Sequence, residues 1–402
     1  MTTRTRRHAQ EELAALLSAE GRRNPYPRYE ALRAHGDVVR VKDGLLAVLG
    51  HAACARALRE SGLRVQDAEG FDLLNPRWRA HSSLRGWARS MLYRNAPDHT
   101  RLRRAVAGSF TPRHVARLEP AVERLTEDLL DHLADLGAGG RTVDFMDAFA
   151  YRLPVAVISE LLGVPRGDQG WFRAVAADVT IALEGITSPS GLERADAAMD
   201  DLSAYFARLI AHRRAHPADD LVSALAGQLD EQELTANLVL LLSAGFDTTT
   251  HLLGHGLHHA LARPRWAARL RTEPGFAPGY VEETLRYEPP VQATSRWAAH
   301  GLHLLDTPVP AGTKVLVVLG AGNRDPRRFH RPQLFDPDRP DNQPLSFGGG
   351  FHFCLGAGLA RMEARVALPR LLRRFPALAP AGPEVYRDRW LVRGHETFPV
   401  RL

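Results

Sequence analysis

The feature that most restricts this chain is a glycine-rich segment that leads directly into a helical pattern. Residues 346–358 contain five glycines and Cys354, one of only two cysteines in the chain, and the helical pattern continues over 359–368. Amide groups at a helix N-terminus favour negative charge and therefore favour a thiolate. The glycines leave the backbone open to a flat, wide group. The segment thus predicts a sulfur atom that is offered as an axial ligand to a haem iron.

Other functions of glycine-rich segments fit this one poorly. A phosphate-binding loop requires G-x-x-x-x-G-K-[ST], and no lysine is present here. A dinucleotide fingerprint requires a preceding strand and an acidic residue about 20 positions later, and neither fits. A buried structural cysteine beside a glycine turn is the ordinary alternative for such a segment.

The order F-x-x-G-x-x-x-C-x-G, from Phe347 to Gly356, resembles the haem-binding signature of the cytochrome P450 family. In that family a cysteine thiolate is the fifth ligand of the iron. The resemblance implies that Cys354 ligates the iron of haem b and that Phe347, Gly348 and Gly356 contact the cofactor.

The longest helical pattern contains residues that are unfavourable in a helix. Asp230 is expected as its N-cap with Glu233 completing a capping box, and no proline follows until Pro264. About 33 residues, or about 50 Å, are therefore predicted to be helical. Gly245 and the threonines at 248–250 lie in the middle, where they weaken a helix. Broken local rules indicate a functional site, although a tolerated core glycine with surface threonines is the alternative.

The segment Ala244–Thr248 is similar to the A-G-x-D/E-T pattern that forms the oxygen-binding groove of the P450 family. The resemblance implies that Ala244 contacts the haem. It also implies that Asp247 and Thr248 are the acid–alcohol pair that relays protons during oxygen activation.

Glu283 and Arg286 are three residues apart, so a helix would place them on one face, where they can pair. Such a pair alone is weak evidence of anything but a surface ion pair. The prolines at 289 and 290 then end the helix. The order resembles the buried structural pair of the P450 family, and Arg339 matches the position of its third member.

Four further side chains are candidates for binding the haem propionates. His99 and Arg103 are four residues apart near the start of a predicted helix, which suits a pair of carboxylates. A solvated basic face is the alternative there, and it is preferred for Arg101 and Arg104. Arg296, on a predicted strand, and His352 match family positions for propionate contacts and are assigned by resemblance.

The pattern of elements predicts a mainly α (α+β) fold. The 402 residues show no linker, repeat or low-complexity tract, so residues 1–402 are predicted to form a single domain. The resemblance implies the cytochrome P450 fold, a helical prism with a small β-sheet region and the haem between the long central helix and the helix after Cys354. Helices are predicted at 28–34, 52–60, 100–109, 115–136, 155–162, 170–183, 192–215, 221–226, 232–263, 280–287 and 357–374. Strands are predicted at 38–42, 45–49, 294–297, 314–318 and 400–402.

Composition narrows the location and the partners. Cys54 and Cys354 lie far apart, which indicates a reducing compartment, and Cys54 is expected in the core. No signal peptide and no uncharged apolar run of 18 residues occurs, so a cytoplasmic monomer without a membrane anchor is expected. The net charge of +6 comes from dispersed arginines without a recognition motif, which argues against nucleic-acid binding. The resemblance implies that electrons arrive from NAD(P)H through a separate ferredoxin or flavodoxin.

These features predict a haem-thiolate monooxygenase that uses O2 to hydroxylate or epoxidise a sizeable apolar small molecule of polyketide or macrolide type. Oxidative ring closure or coupling, and a non-catalytic haem-based ligand-binding role, are the alternatives. The sequence leaves open the substrate, the redox partner and whether the substrate is free or carrier-bound. The resemblance implies that the following residues line the substrate pocket: Leu74, Trp87, Met91, Leu92, Ile186, Val291, Ala293, Thr294, Thr397 and Phe398.

Overall fold

The computed structural model of the chain describes residues 3–184 and 188–402. Helices predominate, as the sequence predicts. The α-helices are α1 Thr3–Leu16, α2 Ala19–Arg23, α3 Tyr26–Arg33, α4 His51–Ala57, α5 Ala68–Leu74, α6 Ser82–Arg89, α7 Asp98–Ala107, α8 Pro112–Gly137, α9 Arg152–Leu162, α10 Gln169–Val179, α11 Pro189–Ala215, α12 Leu221–Leu225, α13 Glu231–Leu261, α14 Pro264–Thr272, α15 Ala277–Tyr287, α16 Leu319–Gly322 and α17 Ala357–Arg374.

The strands are short, two to five residues each. They are β1 Val38–Lys42, β2 Leu45–Val48, β3 Leu63–Arg64, β4 Val143–Asp144, β5 Thr294–Ala298, β6 Leu302–Leu304, β7 Thr307–Val309, β8 Lys314–Val317, β9 Ala379–Pro380, β10 Val385–Tyr386, β11 His395–Thr397 and β12 Pro399–Arg401. A π-helix covers Met146–Ala150, and 3₁₀ turns include Met91–Tyr93, Thr180–Leu183 and Gly350–His352.

The first of two compact units comprises Met1–Leu73, Gly275–Cys354 and Val385–Glu396. Its five-stranded sheet has the order β1-β2-β8-β5-β3, with β2 parallel to β8 and β5 antiparallel to β8. One face of the sheet buries a cluster that includes Leu46, Val48, Cys54, Val315 and Val317. Arg296 lies on β5, beside the central strand β8, where it pairs with Val315.

The second unit comprises Leu74–Pro274, Leu355–Glu384 and Thr397–Leu402. Its central element is α13, which packs against α9, α11, α14 and α17 and is buried on nearly all sides. Such a helix must be apolar almost all round, so its polar residues demand an explanation. Its start agrees with the prediction, because the Asp230 side chain accepts a hydrogen bond from the Glu233 amide at 2.8 Å. It ends at Leu261, just before Pro264 begins α14 as its first residue.

The segment before His99 contains a helix that is not among the helices predicted from the sequence. Helix α6 covers Ser82–Arg89, and the carboxylate of Asp196 accepts hydrogen bonds from the amide of Ser83, at 2.9 Å, and from its hydroxyl, at 2.5 Å. The groups at this helix start are therefore satisfied by a residue more than 100 positions away, which a local pattern does not reveal. Within the described residues, no helix has both the length and the apolar character needed to cross a bilayer.

Candidate functional site

The loop that carries Cys354 is closed by its own backbone and requires glycine at two turns. The Gly348 amide donates to the Leu345 carbonyl at 2.7 Å, and the Cys354 amide donates to the Phe347 carbonyl at 2.9 Å. Gly348 and Gly350 have φ values of 70° and 66°, which L side chains rarely adopt. A Cβ atom on Gly350 would also lie 2.4 Å from the carbonyl oxygen of Leu58. The local sequence therefore sets the conformation that presents Cys354 three residues before α17 begins.

The two cysteines differ in their surroundings. Cys54 is completely buried in the first unit, its thiol donates to the Val48 carbonyl at 3.3 Å, and burial raises its pKa well above the usual range. The prediction that Cys54 belongs to the core is confirmed. Cys354 is exposed, and neither cysteine, both of which lie in the described part of the chain, forms a disulfide. Cys354 is therefore the cysteine able to act as a metal ligand.

The loop is anchored to the interior of the first unit through Asn323. The Asn323 side chain accepts from the Leu345 amide at 2.7 Å and donates to the Ser346 hydroxyl at 2.8 Å. The Asn323 carbonyl in turn accepts from the Arg286 guanidinium at 3.0 Å. A hydrogen-bonded path thus connects the start of the cysteine loop to a buried arginine.

That arginine belongs to a buried ion pair. Arg286 and Glu283 are both 0% exposed, and their charged groups meet at 2.6 and 2.8 Å. Arg286 also donates to the carbonyls of Pro332 and Leu334, at 2.9 Å each. Arg339 donates to Glu283 at 3.3 Å, as the predicted third partner should. Because a buried charge is costly unless fully paired, this arrangement fixes the chain around it.

Glu283 is satisfied on its other side by the segment that precedes the cysteine loop. It accepts hydrogen bonds from the Asp336 amide at 2.7 Å and from the Asn342 side chain at 3.0 Å. The ion pair that the sequence brings together on α15 therefore also organises the backbone from 332 to 346.

The middle of α13, in the second unit, has one open stripe. Ala244 is exposed and Thr248, one turn later, is half-buried, whereas most neighbouring positions of the helix are buried. The Thr248 hydroxyl donates to the Ala244 carbonyl at 2.9 Å, which is the local bond expected from a threonine inside a helix. A ligand can therefore approach this stripe and meet a hydroxyl group.

Asp247 lies one residue before Thr248 but is buried, with 2% exposure. Its Oδ1 atom is 3.4 Å from Nε2 of His251, one turn further along α13. Residues four apart on a helix are neighbours, so the sequence is compatible with a contact between Asp247 and His251. Only Asp247 was predicted to be functional. The acid thus has an imidazole beside it, which the sequence analysis missed.

His99 and Arg103 lie on one face of α7, as predicted, with His99 buried and Arg103 half-buried. Burial, and then the charge of Arg103, lower the pKa of His99 below its usual value. A neutral His99 can donate one N–H to a carboxylate while Arg103 supplies the charge. Arg101 lies on the outer face and pairs with Glu233 at 2.9 Å, in agreement with its assignment to a solvated face.

Arg296 and His352 belong to the first unit. Arg296 is 6% exposed on β5, and its guanidinium donates to the Ser295 carbonyl at 2.8 Å and to the Thr294 hydroxyl at 3.1 Å. A buried arginine is unusual, and the two acceptors named here are neutral, so the guanidinium is suited to bind a negatively charged group as well. His352 is half-buried in the 3₁₀ turn Gly350–His352, two residues before Cys354.

The candidate pocket residues fall into several environments. Trp87 is 1% exposed and its indole donates to the Val179 carbonyl at 3.2 Å, while the ring of Phe398 packs edge-on against Phe145. These two side chains are therefore held by protein contacts in the core. Ile186 lies outside the described residues. The others are buried (Met91, Ala293), half-buried (Leu74, Val291, Thr294, Thr397) or exposed (Leu92).

Glu363 on α17 is a buried carboxyl group that the sequence analysis did not identify. It is 2% exposed, and burial raises its pKa well above the usual range. Between Arg361 and Arg365 in the sequence it reads as one member of a charged surface helix. Only the packing of α17 against α8 and α13 reveals that this side chain faces inward.

Taken by their chemistry, these residues fit a haem group. Cys354 offers one sulfur donor just before a helix, and the glycine loop bears little side-chain bulk. His99, Arg103, Arg296 and His352 offer cationic or N–H groups for two carboxylates.

Comparison with known proteins identifies the relatives of this chain. The family model described as cytochrome P450 matches residues 276–396. The cytochrome P450 monooxygenase PikC of Streptomyces venezuelae is 37% identical over 94% of this chain and 91% of the relative. The polyketide biosynthesis cytochrome P450 PksS of Bacillus subtilis is 37% identical over 78% of this chain and 77% of the relative. Among solved structures, this chain is similar to P450BioI, crystallised in complex with an acyl carrier protein that carries hexadec-9Z-enoic acid. The two chains are 32% identical, and their superposition has a TM-score of 0.88 and covers 95% of this chain and 100% of the P450BioI chain.

Proposed function

Because the chain belongs to the cytochrome P450 family, we propose that it hydroxylates or epoxidises a sizeable apolar metabolite of the polyketide or macrolide class. The chain is a haem-thiolate monooxygenase with the cytochrome P450 fold, and its cofactor is haem. The haem, when bound, supplies the oxygen-activating and oxygen-inserting chemistry. The observation that carries the proposal is the acid–alcohol pair Asp247–Thr248 in the middle of α13.

Cys354 is the proposed iron ligand. Its loop is closed by the bond between its amide and the Phe347 carbonyl and is tied through Asn323 to Arg286. This rigidity holds the sulfur at one position, since a ligand must be placed within a fraction of an ångström to act reproducibly.

Thr248 and Asp247 are the proposed proton donors. The Thr248 hydroxyl donates to the Ala244 carbonyl, so its oxygen is directed by the helix and can accept a further hydrogen bond. Asp247, buried beside His251, can hold a proton and release it toward the reacting group. The pair thereby offers an ordered route for proton transfer along α13.

His99, Arg103, Arg296 and His352 are the proposed propionate contacts. His99 donates through an N–H as a neutral imidazole near pH 7, because its pKa lies below the usual value. Arg103 and Arg296 carry permanent charge and can bind carboxylates in two-point geometry.

The proposed substrate class rests on two observations. PksS is named for polyketide biosynthesis, and PikC is named as a monooxygenase. The candidate pocket positions of this chain are mainly apolar, which suits a large molecule with few charges. Electrons are proposed to arrive from a separate ferredoxin or flavodoxin.

A carrier-bound substrate is the second candidate, favoured by the P450BioI complex with an acylated carrier protein. Titration of the ferric protein with polyketide, macrolide, terpenoid and fatty-acid ligands, followed at the Soret band, tests the choice. A shift to high spin with a macrolactone supports a free polyketide substrate. No shift with any free ligand, followed by a shift with an acylated carrier protein, would contradict it.

A further inference from the structure

Four titratable side chains form a stripe along α13. Asp247, His251, His255 and His259 follow one another at intervals of four residues, so they lie on one side of the helix. Their exposures are 2%, 0%, 0% and 3%. The stripe runs for about 18 Å along the helix axis. Three buried imidazoles in one row on a single helix are unusual, because histidine is rarely fully buried without a polar partner.

The stripe begins at the proposed catalytic acid. His251 Nε2 is 3.4 Å from Asp247 Oδ1, and the ring of Tyr151 lies edge-on to the His251 ring at 6.2 Å between centroids. The guanidinium of Arg173 in turn lies over the Tyr151 ring, 4.5 Å from its centroid. His251 therefore has an aromatic neighbour, Tyr151, and a carboxylate neighbour, Asp247.

The other end of the stripe reaches a partly exposed pair. The rings of His259 and His258 are edge to face with centroids 5.0 Å apart. His258 Nδ1 lies 2.8 Å from a carboxylate oxygen of Glu384, and the side chains of His258 and Glu384 are 31% and 20% exposed. Titratable groups thus extend from a position that solvent reaches to the buried Asp247.

Imidazole is suited to such a row because one ring nitrogen can accept a proton while the other releases one. Neighbours four residues apart on a helix have Cβ atoms about 5–6 Å apart, so their rings are within reach of each other directly or through one water. Two other buried titratable groups lie on or beside elements packed against α13, namely Tyr151 just before α9 and Glu363 on α17. Neither belongs to the four-residue series.

We propose that His251, His255 and His259 resupply Asp247 with protons that enter at His258 and Glu384. The inference rests on the proposed function, in which Asp247 gives up protons during turnover. Each proton that leaves the Asp247 carboxyl is replaced from His251, which is reprotonated from His255, and so on to His258. One proton enters from solvent for each one released, and only N–H and O–H bonds change. His251, His255 and His259 are thus positioning and relay residues that do not touch the substrate.

The first test needs no turnover. Histidine labelled with ¹⁵N is observed by NMR in the reduced, CO-bound holoprotein, which is diamagnetic, with and without Asp247→Asn. A connected row predicts shifts at His251 and also at His255 and His259. Replacement of the exposed His212 of α11, whose ring stacks on that of His216, by glutamine should leave those resonances unchanged. A response to Asp247→Asn that is confined to His251 would overturn the proposal.

The second test uses substrate-free oxygen uptake driven by NADPH through a plant-type ferredoxin and its reductase. His255→Gln keeps a polar side chain but cannot carry a proton, and His259→Gln repeats the change elsewhere in the row. We expect uptake to fall by roughly tenfold or more and the solvent deuterium isotope effect to rise, with an unchanged CO spectrum. An unchanged solvent isotope effect in both His255→Gln and His259→Gln would contradict the proposed proton relay.

The two proposals fail in different ways. If Asp247→Asn and Thr248→Ala both leave oxygen uptake and its isotope effect unchanged, the assignment of the acid–alcohol pair is wrong. If those variants respond but His255→Gln and His259→Gln do not, the pair stands and the histidine row is only structural.

Discussion

Glu283 and Glu363 are both almost completely buried, yet their surroundings differ. Glu283, in the first unit, meets Arg286 and Arg339 and two further donors. Glu363, in the second unit, has an Oε2 atom without a hydrogen-bond partner among the described residues. The first carboxylate is held by several hydrogen-bond donors that fix the chain around it, whereas burial raises the pKa of the second and favours its neutral form. Burial alone therefore does not show whether a carboxyl group has a structural role. The hydrogen-bond donors around the group do.

The same contrast holds for the regions around them. The first unit carries its buried charge in a closed network that leads to the cysteine loop through Asn323. The second unit carries Asp247 and the histidine stripe on α13, all four side chains of which are buried. We interpret the network of the first unit as one that fixes the position of the Cys354 loop. We interpret the stripe of the second unit as one that allows proton transfer.

The largest effect is expected from breaking the paired site. Arg286→Leu leaves the buried Glu283 carboxyl group without its main partner and should cost about 3–5 kcal/mol of unfolding free energy. Because Arg286 also holds Asn323, haem content should fall as well. Denaturant unfolding followed by circular dichroism, together with the haem absorbance per protein, measures both. A variant with wild-type stability and haem content would contradict the role of the network.

A smaller effect is expected at the open stripe of α13. Thr248→Ala should lower product formed per NAD(P)H by roughly tenfold and raise peroxide release, because the hydroxyl that directs protons is removed. Thr272→Ala is a matched control, since Thr272 makes the same hydroxyl-to-carbonyl bond at 3.0 Å on the surface of α14. An unchanged ratio of product to NAD(P)H in Thr248→Ala would refute the assignment.

Glu363→Gln should sharpen the contrast with Glu283. The folded-state pKa of Glu363 is raised, so its contribution to stability is fully present below the ordinary glutamate pKa and is lost as pH rises through the folded pKa. Glutamine cannot ionise, so the variant should lose less stability than the wild type between mildly acidic and alkaline pH. Unfolding free energies at several pH values test this, with exposed Glu119→Gln as the control. Parallel curves for wild type and Glu363→Gln would show that Glu363 is ionised in the folded protein.

The smallest effect is expected at an exposed pair. Arg269 on α14 and Glu273, the residue that caps the end of that helix, form an ion pair with side chains 30% and 48% exposed. Arg269→Ala should change the unfolding free energy by only about 0.5 kcal/mol, because water screens such pairs. A loss as large as that of Arg286→Leu would mean that burial does not separate the two ion pairs.

Local patterns in the sequence predicted much of the fold and the loop. The predicted helix 357–374 agrees with α17, and the N-cap at Asp230 is confirmed. Such features depend on spacing and capping within a few residues. The cysteine was found because its glycine turn is local as well.

Other features depend on distant contacts and were not predictable in this way. Helix α6 was missed because Asp196 satisfies the groups at its start, and Glu363 was missed because its flanking arginines indicate a surface. The need for glycine at 350 arises from the carbonyl of Leu58, almost 300 residues earlier. These features depend on contacts between residues that are far apart in the chain, so a local stretch of sequence does not reveal them.

The most direct test of the central claim is the CO difference spectrum of the reduced protein in two serine variants. Cys54→Ser should keep the thiolate-type Soret band, because Cys54 is buried in the core and hydrogen-bonded to Val48. Cys354→Ser should lose that band, because the sulfur ligand is gone. A Cys354→Ser protein that retained the thiolate-type spectrum would contradict the assignment of the iron ligand and the function built on it.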